Sequence, residues 1–332
     1  MKLQRCAQNP LLTADPARPW ESGAVFNCGA TLGEDKKIYL LYRAIPNSYT
    51  RRPDGGFDHY ISSIGCATSE DGIHFDRLER PVIEPSEEYD RLGCEDPRVT
   101  RLVLDGQSSS SYWITYTALS VPAFSARAEW RVALASTQDF RHYRKHGVII
   151  PGVKDKDAVL FPELVGEQIV LLHRIEPGVQ LVRFDSLEQL IHPSRNFWQD
   201  HLASLERATL MKPEYDWESE KIGAGPPPIR TPEGWLLIYH GVGQSDHGFI
   251  YRVGAALLDL EDPSRVIARS PRPILEPTMD YEKSGDVPNV VFPEGVVVKD
   301  GELYLYYGGA DKSCCLARAK LADLLDYLRY CS

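Results

Sequence analysis

Five stretches of the sequence share one short pattern, and the first of them reads Lys37-Ile-Tyr-Leu-Leu-Tyr-Arg43. The other four are Tyr112-Trp-Ile-Thr-Tyr-Thr117, Gln168-Ile-Val-Leu-Leu-His-Arg174, Gly234-Trp-Leu-Leu-Ile-Tyr-His240 and Glu302-Leu-Tyr-Leu-Tyr-Tyr-Gly308. Each is a short apolar and aromatic run after a turn, so each predicts a β-strand. Their centres lie 74, 56, 67 and 68 residues apart, and five such units nearly fill the 332-residue chain.

Further apolar segments flank these strands. Those that precede them are Gly23–Asn27, Pro97–Thr100, Asp157–Phe161, Pro226–Ile229 and Asn289–Phe292. A repeat of three to four antiparallel strands, with little helical periodicity, is typical of a β-propeller. We therefore predict an all-β fold, a single five-bladed β-propeller domain over residues 1–332, with a short helix near the C-terminus at Ala322–Arg329. The run Ser108–Ser111 is predicted to be a hairpin loop, and a sandwich or a pair of β domains is the alternative fold.

Composition narrows the class of protein. The formal net charge of -10 gives no general attraction for nucleic acid or for an anionic membrane. The N-terminus lacks the apolar stretch of a signal peptide, and no run of 18 apolar residues occurs, so a cytoplasmic protein is predicted. Seven cysteines, two of them adjacent at Cys314 and Cys315, suit neither a disulfide framework nor a zinc site. We expect reduced and mostly buried thiols.

The register of the repeats brings polar residues together. Aligning the five strands places Arg43, Thr117, Arg174, His240 and Gly308 at one level of the central channel, and the cations and acids ahead of the inner strands would cluster at its mouth. The basic members are typical of a site for a small anion such as phosphate: Arg43, Lys156, Arg174, Lys221 and His240. Alternatively, the cations pair with Glu95, Asp96, Asp157 and Asp286 as a solvated polar plug. Spacing alone favours neither.

Other chemistries lack a motif. The chain contains no G-x-x-x-x-G-K-[ST], H-E-x-x-H, G-x-S-x-G or G-x-G-x-x-G, so nucleotide, zinc-protease, α/β-hydrolase and dinucleotide sites are unsupported. Several aromatic residues could stack on sugar rings, although packing in the core is the expected role of each: Trp20, Tyr42, Trp113, Trp130, Tyr239 and Tyr251.

Nine strings of residues, in this order, resemble the motifs of a known family. They are Asn9–Thr13, Phe26-Asn27, Leu41–Arg43, Cys94–Thr100, Lys156–Pro162, Leu172–Arg174, Lys221–Pro228, Tyr239-His240 and Val287–Pro293. On these strings the sequence is similar to glycoside hydrolase family 130, the β-mannoside phosphorylases, and the match extends from about residue 9 to residue 320.

The resemblance implies a five-bladed propeller, in agreement with the repeat count. It implies inverting phosphorolysis of a β-linked mannoside by inorganic phosphate to give α-D-mannose 1-phosphate. Phosphate is then a co-substrate, and neither an organic cofactor nor a metal is expected. The expected partners are the mannoside and phosphate, with no nucleic acid and no membrane, and the resemblance leaves room for a homo-oligomer.

The matching positions suggest roles for individual residues. Asp96 matches the family's general acid, which is thought to protonate the glycosidic oxygen through the 3-hydroxyl of the mannosyl unit. Phosphate binding would fall to Lys156, Arg174, Lys221 and His240, where Lys156 stands near a point at which the family usually has an arginine. Binding of the mannosyl hydroxyls would fall to Asn27, Arg43 and Asp311, with Glu95 and Asp286 as further candidates.

Two other functions remain open from the sequence. A β-mannosidase of the same family would transfer the mannosyl unit to water and would not need the four phosphate-binding positions. A non-catalytic carbohydrate-binding propeller would leave both Asp96 and the cations without a role. The linkage, the acceptor sugar and the oligomeric state do not follow from these motifs.

Overall fold

The computed structural model describes residues 1–102, 111–122, 129–246 and 248–331. Its strands form five small sheets arranged as a five-bladed β-propeller, which confirms the predicted fold class. Residues 108–110 of the predicted hairpin loop lie outside the described residues, and Ser111 begins a strand. No helix in the described ranges is both long and apolar enough to cross a membrane.

The N-terminal strand and blade 1 occupy the first 77 residues. In chain order the strands are β1 (Gln4–Arg5), β2 (Ala24–Leu32), β3 (Ile38–Ile45), β4 (Thr50–Arg51), β5 (Phe57–Asp58), β6 (Ser63–Ser69) and β7 (Asp76–Arg77). Blade 1 has the order β2-β3-β6-β7, and β4 and β5 form a separate hairpin. A 3-10 turn at Pro19–Glu21 precedes the blade.

Blades 2 and 3 follow the same plan of successive antiparallel neighbours. Blade 2 contains β8 (Gly93–Leu102), β9 (Ser111–Leu119), β10 (Trp130–Thr137) and β11 (Tyr143–Val148). Blade 3 contains β12 (Lys156–Leu160), β13 (Ile169–Arg174), β14 (Val179–Phe184) and β15 (Thr209–Met211). Between β14 and β15 the chain forms three helices, α1 (Leu187–Ile191), α2 (Arg195–Ala203) and α3 (Leu205–Ala208), which the repeat pattern did not predict.

Blades 4 and 5 complete the ring. After a 3-10 turn at Asp216–Glu218, blade 4 contains β16 (Lys221–Ala224), β17 (Ile229–Thr231), β18 (Gly234–Ser245), β19 (Gly248–Leu258) and β20 (Val266–Arg269). Helix α4 (Asp280–Lys283) leads to blade 5, which contains β21 (Val291–Lys299), β22 (Glu302–Gly309) and β23 (Ser313–Lys320). Helix α5 (Leu321–Arg329) confirms the predicted C-terminal helix.

The two ends of the chain meet in blade 5. Strand β1 pairs antiparallel with β23, with Gln4 opposite Arg318, so the N-terminal residues form the outermost strand of the last blade. This pairing closes the ring through backbone hydrogen bonds and leaves β23 without a free edge.

One predicted strand is misplaced. We expected Pro226–Ile229 to be the inner strand of blade 4, but β16 and β17 share that position and both pair with β18. Residues 225–228 interrupt the strand because three consecutive prolines cannot donate ladder hydrogen bonds. Lys221 is therefore the first residue of an inner strand rather than part of a loop ahead of it.

The inner strands of the other four blades are each broken by a register shift. In three of them the shift coincides with a polar residue in the left-handed region, Asn27, Asp96 and Asp157, at φ of 47°, 53° and 58°. A bulge of this kind redirects a side chain that would otherwise follow the alternation of the strand. Three buried polar side chains are thus aimed into the channel from consecutive blades.

Apolar side chains fill the space between neighbouring blades. One cluster, for example, joins Val159 and Leu172 of blade 3 to Ile222, Leu237 and Tyr239 of blade 4. All seven cysteines are free thiols and six are buried, as expected.

Candidate functional site

Asp96 lies at the centre of a charged cluster in the channel and is almost fully buried. Its Oδ1 accepts a hydrogen bond from Asn27 Nδ2 at 2.9 Å and from Arg43 at 3.2 Å, while its Oδ2 is 3.4 Å from Lys156 Nζ. Arg43 also contacts Glu95. The bulge of β8 supports this arrangement, because it lets Glu95 and Asp96 both reach Arg43 of the neighbouring blade.

A cavity of about 110 Å³ opens beside this cluster. Its polar walls are Asn27, Arg43, Asp96, Lys156 and Asp311, and its apolar walls are Tyr251, Val287, Val290 and Phe292. A cavity with charged groups on one side and ring faces on the other suits a sugar, whose hydroxyls and C–H surfaces need both. Tyr251, for which core packing was expected, instead forms part of this wall.

The electrostatics of the cavity divide its acids into two kinds. Burial alone would raise the pKa of Asp96, but Lys156, Arg43 and the hydrogen bond from Asn27 lower it to about 2. Burial raises the pKa of Glu95, with Arg43 opposing. Burial also raises the pKa of Asp311 to about 7, although Arg43 again opposes it. Asp96 is therefore an anion at neutral pH, and Asp311 is part protonated.

A second cationic group adjoins the first. Arg174 lies 2.8 Å from Asp157 and 3.3 Å from Glu176, and Lys221 Nζ donates to the same Glu176 at 2.8 Å. The ammonium of Lys156 adjoins both groups, because it lies 3.4 Å from Asp96 and 3.9 Å from Asp157. Burial and then the charge of Arg174 lower the pKa of Lys221. Lys156, Arg174 and Lys221 thus concentrate positive charge at one side of the channel.

His240 lies beneath this group and is fully buried. Its Nε2 is 3.4 Å from Arg174 and 3.6 Å from Asp157, and its ring packs 4.6 Å from the ring of Phe292. Burial lowers the pKa of His240 well below its usual value, so its imidazole is neutral. Gly223 permits this position, because a Cβ there would lie 2.5 Å from the His240 ring.

Several buried polar atoms of the site have no hydrogen-bond partner among the described residues. They are Asn27 Oδ1, Arg43 Nε, Arg174 Nε and His240 Nδ1. Unpaired buried polar groups are uncommon, and they concentrate at sites that receive a ligand. The polar plug accounts for the ion pairs of Asp96 and Asp157, but it does not account for these atoms.

Asp286 lies apart from the other candidates. It accepts a hydrogen bond from Tyr49 at 2.6 Å and from Tyr60 at 3.3 Å, and Lys312 lies 3.3 Å away. Tyr60 in turn packs over Arg43, with 5.4 Å between the guanidinium carbon and the ring centre. Asp286 therefore anchors the segment between β3 and β6 to blade 5 at the edge of the site.

The sequence reasoning missed Arg98, which lies in the motif around Asp96 and is almost fully buried. It donates to Asp157 at 3.0 Å, to the Asp96 carbonyl at 3.0 Å and to the Gly225 carbonyl at 3.1 Å, and it lies 3.5 Å from Glu294. Arg98 therefore links blades 2 to 5 and contacts two residues of the cavity wall, Asp96 and Phe292. Arg98 stands two residues after Asp96 on the same inner strand, and this spacing could have indicated that it lies close to the site.

No group of three or more His, Cys, Asp and Glu side chains in the part of the chain that the structure describes is arranged to hold a metal ion. The donors of the site are instead amide, guanidinium, ammonium and carboxylate groups, which suit hydroxyls and anions.

The comparison with protein families identifies this arrangement. The model of glycoside hydrolase family 130, described as beta-1,4-mannooligosaccharide phosphorylase, matches residues 8–330. The chain belongs to glycoside hydrolase family 130. Family 130 is described as a family of mannoside phosphorylases, so the chain is an enzyme of the glycosyl-transferring type.

Characterised relatives within family 130 align over nearly their whole length. A 1,2-beta-oligomannan phosphorylase of Thermoanaerobacter sp. is 38% identical over 327 residues, covering 98% of this chain and 99% of the relative. The solved beta-1,2-mannobiose phosphorylase of Listeria innocua, in complex with beta-1,2-mannobiose, has a TM-score of 0.79 at 28% identity and covers 99% and 100% of the two chains. Another solved family 130 protein, from work describing glycoside hydrolases that target beta-1,2 mannosidic linkages, has a TM-score of 0.78 at 26% identity over 96% and 94%.

Proposed function

We propose that this protein catalyses inverting phosphorolysis of a β-linked mannoside, with inorganic phosphate as the attacking group and α-D-mannose 1-phosphate as the product. The observation that carries the proposal is that buried Asp96 lies in the cavity wall beside Lys156, whose charge adjoins those of Arg174 and Lys221. An inverting hydrolase needs a second carboxylate to activate water, whereas phosphate already carries the charge of a nucleophile and needs cations to hold it.

The mannosyl unit would occupy the cavity beside Asp96. Asn27 Oδ1 and Arg43 Nε are free to bond its hydroxyls, and Tyr251 and Phe292 offer ring faces to its C–H surface. Phosphate would bind between Lys156, Arg174 and Lys221, with neutral His240 holding Arg174 from below. A phosphate oxygen then attacks the anomeric carbon opposite to the leaving oxygen, and the bond to the acceptor sugar breaks.

The charge state of Asp96 determines how the proton reaches the leaving oxygen. The hydrogen phosphate dianion loses its proton in the net reaction, and the departing acceptor gains one as a hydroxyl. Before phosphate binds, the positive charges of Lys156 and Arg43 keep Asp96 an anion. Phosphate bound against Lys156 offsets that positive charge, so the pKa of Asp96 rises and the carboxyl can carry the proton to the leaving oxygen through the 3-hydroxyl. Binding of phosphate and activation of the acid are therefore coupled.

The relatives favour a β-1,2 linkage. The Thermoanaerobacter and Listeria proteins are both named for β-1,2-mannosides, whereas the family model is described by a β-1,4 substrate. We place β-1,2-mannobiose or a longer β-1,2-oligomannan first among the substrates for this reason.

The forward reaction tests the proposal. Purified protein is incubated with β-1,2-mannobiose or β-1,4-mannobiose, with and without phosphate, and the products are followed by phosphorus NMR and sugar chromatography. We expect α-mannose 1-phosphate only in the presence of phosphate. Free mannose at an equal rate in phosphate-free buffer would instead establish the β-mannosidase, the second function that family 130 membership allows.

A further inference from the structure

A chain of three side chains, Asp155, His173 and His201, adjoins the cationic group and does not line the cavity. Asp155 and His173 are both fully buried, and His173 Nδ1 lies 2.6 Å from Asp155 Oδ2. The opposite ring nitrogen of His173, Nε2, lies 2.8 Å from Nε2 of His201 on helix α2. The proposed reaction uses none of these three residues.

Two members of the chain directly precede a residue of the proposed phosphate site. Asp155 directly precedes Lys156, and His173 directly precedes Arg174, the pair that faces each other across β12 and β13. The second oxygen of Asp155 accepts a hydrogen bond from the backbone N–H of Arg174 at 3.0 Å. One carboxylate therefore fixes both the backbone of Arg174 and the ring of His173.

The bond from the Arg174 backbone to Asp155 lies where the pairing of β12 with β13 is irregular. The β12–β13 ladder is irregular after the Lys156–Arg174 pair, because the bulge at Asp157 shifts the register before Val159. Lys156 and Arg174 are thus a single pair at the frayed end of the ladder. Asp155 adds a second attachment there, and its own N–H bonds the carbonyl of Trp130 in blade 2 at 3.2 Å.

His201 connects this attachment to the helical insertion of blade 3. Helix α2 is capped by Ser194, whose side chain accepts from the Phe197 backbone. Trp198 of the same helix packs edge-on against His173, with 5.8 Å between ring centres, and against His201, with 5.2 Å. The imidazole of His173 is consequently held at both nitrogens and on one face.

We propose that Asp155, His173 and His201 form a positioning relay that keeps Lys156 and Arg174 aimed at the same bound phosphate. The inference rests on the proposed function, because it assigns the two cations to phosphate. The three residues are positioning residues and touch no reactant. Their loss should weaken phosphate binding far more than mannoside binding, since Asn27, Arg43 and Asp96 stand on other blades.

The two nitrogens of His173 can be removed separately. In His173→Asn the amide nitrogen can replace Nδ1 and donate to Asp155, whereas in His173→Gln the side-chain amide can replace Nε2 and keep only the bond to His201. Losing a hydrogen bond to a charged group costs a factor of about ten or more in an equilibrium constant. We expect His173→Gln to raise the Kd and KM for phosphate about tenfold, His173→Asn to stay within about threefold, and His201→Ala to lie between them.

The matched control is His146→Gln in blade 2. His146 lies away from the site, and its Nε2 is 2.8 Å from Ser136 Oγ. Each variant is titrated with inorganic phosphate by calorimetry without mannoside, and the KM for phosphate and for the mannoside and the melting temperature are then measured. A selective rise in the phosphate constants, absent in His146→Gln and largely restored in His173→Asn, supports the relay.

Failure of the proposed function and failure of the relay give different results. A wild-type protein that does not bind phosphate overturns the proposed function and the relay together. A wild-type protein that binds phosphate, with a His173→Gln variant of unchanged phosphate Kd, overturns the relay alone. The relay would also be refuted if the phosphate and mannoside constants rose equally, or if His173→Asn and His173→Gln raised the phosphate constants by the same factor. If His173→Gln does not fold, the same comparison is made with His201→Ala, which changes a residue at the partly exposed helix.

Discussion

Gly308 controls the position of Asn27, and its replacement by alanine gives a prediction whose size follows from distances. A Cβ at Gly308 would lie 1.9 Å from Asn27 Oδ1, whereas ordinary contacts begin at 3.4 Å, so the two groups must separate by about 1.5 Å. Asn27 cannot move that far and keep its 2.9 Å bond to Asp96. Because a misplacement of about 1 Å near the reacting groups can cost about 100-fold in rate, we expect Gly308→Ala to lower kcat/KM by about that factor.

A double-mutant cycle tests whether the loss passes through Asn27. The kcat/KM for phosphorolysis is measured for the wild type, Gly308→Ala, Asn27→Ala and the double variant, with melting temperatures as the check on folding. Once Asn27 lacks its amide, the new Cβ no longer meets Oδ1, so most of the Gly308 effect should disappear. If Gly308→Ala costs the same factor in both backgrounds, the loss arises from displacement of the β2 backbone, which lies 2.9 Å from the new Cβ, and the reasoning about Asn27 is refuted.

Three further predictions concern phosphate, pH and stability. Lys221→Ala should raise the KM for phosphate about tenfold or more, because it removes a charge-assisted donor, with little change in the KM for the mannoside; an equal rise in both would remove Lys221 from the phosphate site. The pKa of Asp311 is about 7 in the folded protein against 3.8 ordinarily, so the folded state loses stability as the pH rises from about 4 to about 7. Asp311→Asn should therefore be more stable than the wild type at pH 8 and no more stable at pH 4 in urea unfolding, and the same difference at both pH values would contradict this. Arg98→Met should lower the free energy of unfolding by about 3–5 kcal/mol, since it leaves Asp157 and Glu294 buried without their shared cation, and a loss below about 1 kcal/mol would show that the other contacts of Asp157 suffice.

The propeller was predictable because its strands repeat. Each of the five apolar runs, such as Lys37–Arg43, appears as the second strand of a blade, and the side chains at the ends of two of them, Arg174 and His240, lie 3.4 Å apart. The bulges were not predictable, because a left-handed Asp or Asn looks like any polar residue in a strand sequence. The pairing of Asp157 with Arg174 agrees with the alternative that the sequence left open, but its second pairing, with Arg98, did not follow from the pattern.

The sequence pattern could not predict two further parts of the site, the depth of His240 and the contact between His201 and His173. Register gives the level of a side chain along the channel but not its depth, so it could not show that His240 lies buried beneath Arg174. The helices between β14 and β15 have only five, nine and four residues, too few for a clear periodicity, and His201 could not be associated with His173.

The reverse reaction tests the central claim most directly. Purified wild-type protein and the Asp96→Asn variant are incubated with α-mannose 1-phosphate and a panel of acceptors that includes mannose, glucose and N-acetylglucosamine, and the release of inorganic phosphate is followed. The account predicts acceptor-dependent release by the wild type, with the preferred acceptor revealed by the rate, and none by Asp96→Asn although its melting temperature is retained. It is contradicted if no acceptor supports release by the wild type, or if Asp96→Asn releases phosphate at a near-normal rate.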